Sequence, residues 1–241
     1  MLDWLKRDPR AEPSIVIGQL ELPLIIRRHA RAKRMTLRLA PDGKAVKVTI
    51  PDWGRTADAL FFARSRQEWL ARQLAAMPEP KPLGPGSVLR FRGQSLLIDY
   101  AADAMRKPVF ADNTLRLGGP AASLERRVKR WLAAEARNYL LADLAEYCRR
   151  AERETPELAL SNARRRWGSC APGGTIRVNW RLIMAPDFVR RSVVAHEVAH
   201  LSHFDHSARF HAHLAALFEG DLDAANQWLK RDGPGLYYPF G

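Results

Sequence analysis

Cysteine is nearly absent from the 241 residues. Cys148 and Cys170 stand 22 positions apart with no C-x-x-C spacing, which excludes a disulfide framework and a cysteine zinc site and fits a reduced compartment. Long apolar runs are also missing. LPLII (22–26) is far shorter than the roughly 20 residues that cross a bilayer, so no transmembrane helix is expected. The opening MLDWLKRDPRAEP has no apolar signal core, which predicts a cytoplasmic protein. Acidic residues are the minority, 26 against 39 Lys and Arg, and the net charge of +13 favours anionic partners while saying nothing of fold. Solvated arginines are the plainer explanation of that charge. Histidine is scarce too, yet six of the seven fall between residues 196 and 213.

What is present describes an ordinary globular chain, 46% hydrophobic and 27% charged, of a length that suits one large domain or two small ones. From Ser14 to Pro51 short apolar bursts alternate, and MTLRLA and KAVKVTIP flank Pro41-Asp42-Gly43, the pattern of a β-hairpin. Residues 55–76 predict one amphipathic helix lying on the sheet, with Thr56 as its N-cap and Leu60, Phe61, Trp69, Leu70 and Leu74 as its apolar stripe. MPEPKPLGPG (77–86) reads as a linker or stiff loop. Short strands resume in SVLRFRG, SLLIDYA, KPVFA and NTLRLGG up to about Gly119. A long helix then runs from Ser123 to about Glu154, and TIRVNWRLI (175–183) alternates as a half-buried strand. Another helix begins at Ala185-Pro186-Asp187. The pattern is α+β: a β-rich N-terminal region, 1–119, followed by a mainly helical region with a short sheet, 120–241, without an internal repeat.

HEVAHLSHFDH (196–206) carries the chemistry. Residues four apart share a helix face, so His196 and His200 can direct two imidazoles at one ion, while Val194, Val198 and Leu201 serve the core. Glu197, beside the first histidine, has the position of a general base. A hydrolytic zinc site needs three protein ligands and one open position. His206 follows His200 by six, as in H-E-x-x-H-x-x-G-x-x-H, but the glycine of that pattern is His203 here, which would have to turn the chain in a left-handed conformation. Glu219, in FEGD, is the competing third ligand; the spacing and the donor type favour His206. Asp205 or Ser207 is expected to cap the next helix, whose stripe is Phe210, Leu214, Leu217 and Phe218.

RRRWGSC (164–170), IRVNWRLIMAP (176–186), VVAHEVAHL (193–201) and DHSARFH (205–211), together with RRHARAKRMTLRL (27–39) and the region 51–76, resemble the YgjP-like family of metal-dependent hydrolases, related to the SprT-like and WLM zincins. The resemblance spans about residues 25 to 215. It implies a zincin-like catalytic half carrying HExxH in which His196, His200 and His206 bind Zn2+ and Glu197 activates water. Phe210-His211 departs from the aromatic pair common after the family's third-ligand string, a difference expected to touch packing. RRRWGSC is expected to be a structural turn, with Trp167 filling core and Gly168 bending the backbone. As a substrate-binding loop it would present Arg165, Arg166 and Trp167, with Asn179 nearby.

Three activities fit these residues. The first is a metallopeptidase acting on a peptide or protein, with TIRVNWRLI as the candidate edge strand that pairs with substrate backbone, the plainer alternative being a central strand. The second is a nucleoside-triphosphate hydrolase holding phosphates through the arginine clusters. The third is a nucleic-acid-binding protein with a structural zinc, against which Glu197 argues, since a structural site has no use for a base. The strip from Arg27 to Arg38 gathers Arg27, Arg28, Arg31, Lys33, Arg34 and Arg38 without an acid and is a candidate surface for nucleic acid or nucleotide.

Overall fold

The computed structural model describes residues 13–40, 43–75 and 83–240. The chain is α+β, and it separates into two compact units, 1–80 and 81–240. The division falls within the proline-rich segment, and residues 83–119 therefore belong with the helical half. Residues 77–82 of that segment lie outside the described residues, as do Pro41 and Asp42 of the expected D-G turn.

In the first unit, β1 (Ser14–Ile17) and β2 (Leu20–Arg28) form an antiparallel hairpin around Gly18, whose φ of +61° is the reason for glycine there. β3 (Thr36–Leu39) and β4 (Val46–Ile50) form the expected second hairpin. β2 and β4 run parallel, which closes a sheet of order β1-β2-β4-β3. Alternation places Leu22, Leu24, Val46, Val48 and Ile50 in the core, and Ile25, Arg27, Lys47 and Arg38 on the other, exposed face. The expected single helix is two, α1 (Thr56–Arg64) and α2 (Gln67–Ala75), broken where the Ser65 hydroxyl donates to the Phe62 carbonyl. Thr56 does not cap; Arg55 occupies the N-cap position, and the Thr56 hydroxyl oxygen accepts from Arg28 at 3.1 Å. Ala59, Ala63 and Leu70 face the sheet, whereas Phe61 is 75% exposed.

The second unit opens with β5 (Val88–Phe91), β6 (Gln94–Tyr100), β7 (Val109–Ala111) and β8 (Thr114–Leu117), in the order β5-β6-β8-β7. This repeats the topology of the first sheet, with β6 and β8 parallel and an antiparallel partner outside each. The long helix α3 (Leu124–Arg150) buries Val128, Leu132, Ala136, Leu140, Leu144 and Tyr147, one face at helical spacing. A three-stranded sheet follows from β9 (Leu158–Ser161), β10 (Gly168–Cys170) and β11 (Ile176–Asn179), in the order β10-β11-β9. The strand expected over TIRVNWRLI is therefore shorter, and of the two placements the sequence left open it takes the central one and not the edge. The Asn179 side chain accepts from the Arg181 N–H and starts a 3-10 helix over Trp180–Met184.

α4 (Asp187–Ala199) carries HEVAH, and α5 (Ala208–Leu217) and α6 (Leu222–Arg231) follow, the last capped by Asp221. Two kinds of contact fix α4 on α3. Val189, Val194 and Val198 enter the apolar core, and the buried Arg190 guanidinium lies 2.6 Å from the Asp143 carboxylate. Arg190 also reaches Asp187 at 2.5 Å, Arg191 reaches Asp143 at 3.3 Å, and Arg92 pairs with Asp187. Buried charges persist only when paired, so this network sets where α4 lies along α3. Among the described residues no helix is long and apolar enough to cross a membrane.

Candidate metal centre

α4 places His196 and His200 one turn apart, and the chain after it returns His206 to the same point. The ligand-capable atoms of these three residues lie within 4.8 Å of one another. The Nε2 atoms of His196 and His206 are 3.3 Å apart. A tetrahedral ion held by imidazoles at about 2.0 to 2.1 Å separates its nitrogens by roughly 3.3 Å, so the spacing fits such an ion. The His200 Nδ1 lies 3.0 Å from the His203 carbonyl. A carbonyl only accepts, so Nδ1 carries the proton and Nε2 keeps the lone pair a metal needs. Burial, followed by the charges of His200, His206 and His211, lowers the His196 pKa to about 4, which leaves that imidazole neutral. The donor set suits a metal ion.

His203 does this without a left-handed backbone. Among the described residues the non-glycine positions at positive φ are Arg92, Asp112, Asn113 and Glu152, so the expected left-handed turn at His203 is not there. The helix instead tightens at its end, with Leu201 and Ser202 bonding back three residues and His203 four, and the chain leaves through residues 200–202. Ser207 is the N-cap residue of α5 by position, but its hydroxyl donates to Asp205 at 2.9 Å and does not cap.

Phe210, fully buried, is the floor of the site. Its ring centroid lies 5.0, 4.6 and 4.8 Å from those of His196, His200 and His206. The sequence places Phe210 in an apolar stripe and in the string DHSARFH, and neither points to a position against the three histidines. Glu219 does not join the group. Its carboxylate accepts from the Tyr147 hydroxyl at 2.9 Å, Arg150 at 2.6 Å and Arg191 at 2.7 Å. Burial alone would raise its pKa, but its own backbone N–H and these three partners prevail and bring it down to about 2.

Glu197 is 5% exposed and faces a cleft of about 450 Å³. Burial raises its pKa to about 7, against the opposing pull of the Cys170 backbone N–H and the Arg166 charge. The cleft is lined by His196, Glu197, Trp167, Gly168 and Val193, by His211 and Leu214 of α5, and by Leu222, Asp223, Asn226 and Leu229 of α6. Gly168 is present for space and not, as expected, for a bend, since its φ is not positive. A Cβ there would lie 2.7 Å from both Cγ and Cδ of Glu197 and closer still to Oε1.

RRRWGSC thus lies beside Glu197, a placement its sequence did not reveal. Trp167 is half-buried, packed against Tyr237 with centroids 5.5 Å apart and the rings tilted by 42°, and also lines the cleft. Arg165 and Arg166 are exposed, and Arg166 lies within electrostatic reach of Glu197. Asn179 is fully buried and does not line the cleft; its amide donates to the Ala163 carbonyl at 2.8 Å and to Tyr237 at 3.0 Å. Cys148 and Cys170 are free thiols.

A helix that carries two of three converging histidines, next to a buried glutamate in an open cleft, fits the class of metal-dependent hydrolases. Within it the chain belongs to the YgjP-like family: the family's metallopeptidase domain matches residues 33–232, which supports a metal-dependent peptidase in general. Comparison with curated proteins and with solved structures returned no match.

Proposed function

We propose that the protein is a zinc-dependent peptidase in which His196, His200 and His206 hold the ion and Glu197 is the general base, within a catalytic region that runs from about residue 120. The convergence of three imidazoles beside a buried carboxylate carries this reading. Zinc, when bound, would polarise the scissile carbonyl and lower the pKa of a bound water to about 7. Glu197, the carboxylate that lines the cleft next to the histidines, takes the proton of the attacking water and delivers it to the departing amine. Gly168 keeps the space in which that side chain moves, and the Cys170 N–H orients it.

The substrate backbone aligns along β10. Asn179 donates to the Trp167 carbonyl and Ala171 to the Thr175 carbonyl, so the polar groups of Gly168 and Cys170 point away from β11 toward the free edge, where the Cys170 N–H meets Glu197 and the Gly168 groups and the Cys170 carbonyl are left for substrate. Trp167, Arg165 and Arg166 stand at the start of that edge as substrate contacts. Phe210, packed against all three imidazoles, keeps the ligands in register.

The test compares the wild type with Glu197→Gln and His206→Ala on a peptide library and a panel of nucleoside triphosphates, with zinc content measured for each. We expect one zinc per chain and peptide cleavage in the wild type, zinc without cleavage in Glu197→Gln, and loss of both in His206→Ala. Nucleotide hydrolysis without peptide cleavage overturns the peptidase assignment. Full activity of Glu197→Gln overturns the base.

A further inference from the structure

The outer face of the first sheet presents cations that no acid among the described residues neutralises. In the register of β2, β4 and β3, Ile25, Lys47 and Arg38 stand in one row, and Arg27, Thr49 and Thr36 in the next. Arg38 and Lys47 are thus directly opposed like charges, an arrangement that destabilises a sheet unless an anion lies over it. Arg27, Arg38 and Lys47 are exposed, and they make no ion pair among the described residues. The helices α1 and α2 pack on the opposite face, where Ala59, Ala63 and Leu70 join the strand core.

The cations continue around one end of the sheet. Arg28 pairs with Ile50 in register, and the His29 N–H donates to the Ile50 carbonyl, which brings the 29–35 loop beside the turn after β4. Arg31, Lys33 and Arg34 of that loop are exposed. In the neighbouring turn Trp53 is 82% exposed, and Arg28 joins the two segments by donating to the Gly54 carbonyl and to Thr56. Against twelve Lys and Arg, residues 13–40 and 43–75 contain four acids, Glu21, Asp52, Asp58 and Glu68.

We propose that this face and its end bind single-stranded nucleic acid, a function beyond the peptidase reading and independent of it. A strand of phosphates supplies the anions that Arg27, Arg38 and Lys47 lack. An indole with four fifths of its surface in water is a platform on which a base of any sequence stacks. A compact anion such as phosphate would use the guanidinium groups and leave Trp53 idle.

The experiment titrates the full chain into a labelled single-stranded 20-mer, its duplex and vesicles containing anionic lipid, from low to high salt. We expect the single strand to bind best, with quenching of tryptophan fluorescence that is absent in Trp53→Ala. Replacing Arg27, Arg38 and Lys47 together by Gln should make the log–log salt slope shallower by about 2, at about 0.7 for each phosphate that is no longer neutralised. Its melting temperature should be unchanged or higher, because a like-charge pair is removed. The loop variant Arg31→Gln, Lys33→Gln, Arg34→Gln gives a second reading of the slope outside the sheet. Equal slopes in the wild type and both variants, tighter binding to duplex with no effect of Trp53→Ala, or preference for vesicles would each overturn the proposal.

Discussion

Replacing Gly168 by Ala adds one methyl group at the place where Glu197 has to lie. The new carbon would stand 2.7 Å from Cγ and Cδ of the glutamate, roughly 1 Å inside ordinary carbon–carbon contact. Either Glu197 retreats or β10 moves, and β10 is held through its pairing with β11. We expect the side chain to yield. A displacement of about 1 Å from a productive position costs on the order of 100-fold in rate, and overpacking costs about 1 to 3 kcal/mol in stability. The three atoms nearest to the new carbon all belong to Glu197 and none to a histidine, so zinc content should be unchanged. The assay is kcat/KM on a peptide that the wild type cleaves, with zinc content and denaturant unfolding measured on the same preparation. Activity within about threefold of wild type at unchanged stability would refute the view that Gly168 makes room for the base.

Two further outcomes follow from the charges behind the site. Asp143→Ala leaves Arg190 buried with only Asp187 beside it and should cost about 3 to 5 kcal/mol by denaturant unfolding; a loss under about 0.5 kcal/mol would show that the pair does not anchor α4. Glu219, whose pKa is depressed to about 2 in the folded chain, contributes stability that is complete above its ordinary pKa of 4.5 and is lost as pH falls toward 2. Glu219→Gln should therefore be less stable than wild type at pH 7, by on the order of 1 kcal/mol because the pairs are partly exposed, and the gap should close between pH 4.5 and 2. The same variant should retain zinc, and its loss would return Glu219 to the metal.

The pairing of His196 with His200 was legible because α-helical geometry is local. A spacing of four puts His196 and His200 on one face whatever surrounds them, and the clustering of six histidines in eighteen positions marked the return of His206. The core stripe of α3 and the short strands of both four-stranded sheets were legible for the same reason, since periods of 3.6 and 2 are written in consecutive residues. The order of the strands was not. TIRVN reads alike at an edge or in the middle of a sheet, because alternation reports which face is buried and not who lies on either side.

Distances between separated segments were decided by the tertiary structure alone. Gly168 and Glu197 are 29 positions apart, and no local pattern distinguishes a glycine that bends the chain from one that makes room for a carboxylate. The fate of Glu219 depended on Tyr147, Arg150 and Arg191 arriving from two other helices. The opposition of Arg38 and Lys47 depended on strand register. Composition and periodicity determine which elements form and which faces they bury; packing determines which polar groups meet, and in this chain those meetings separate the glutamate in the cleft from the one held in ion pairs.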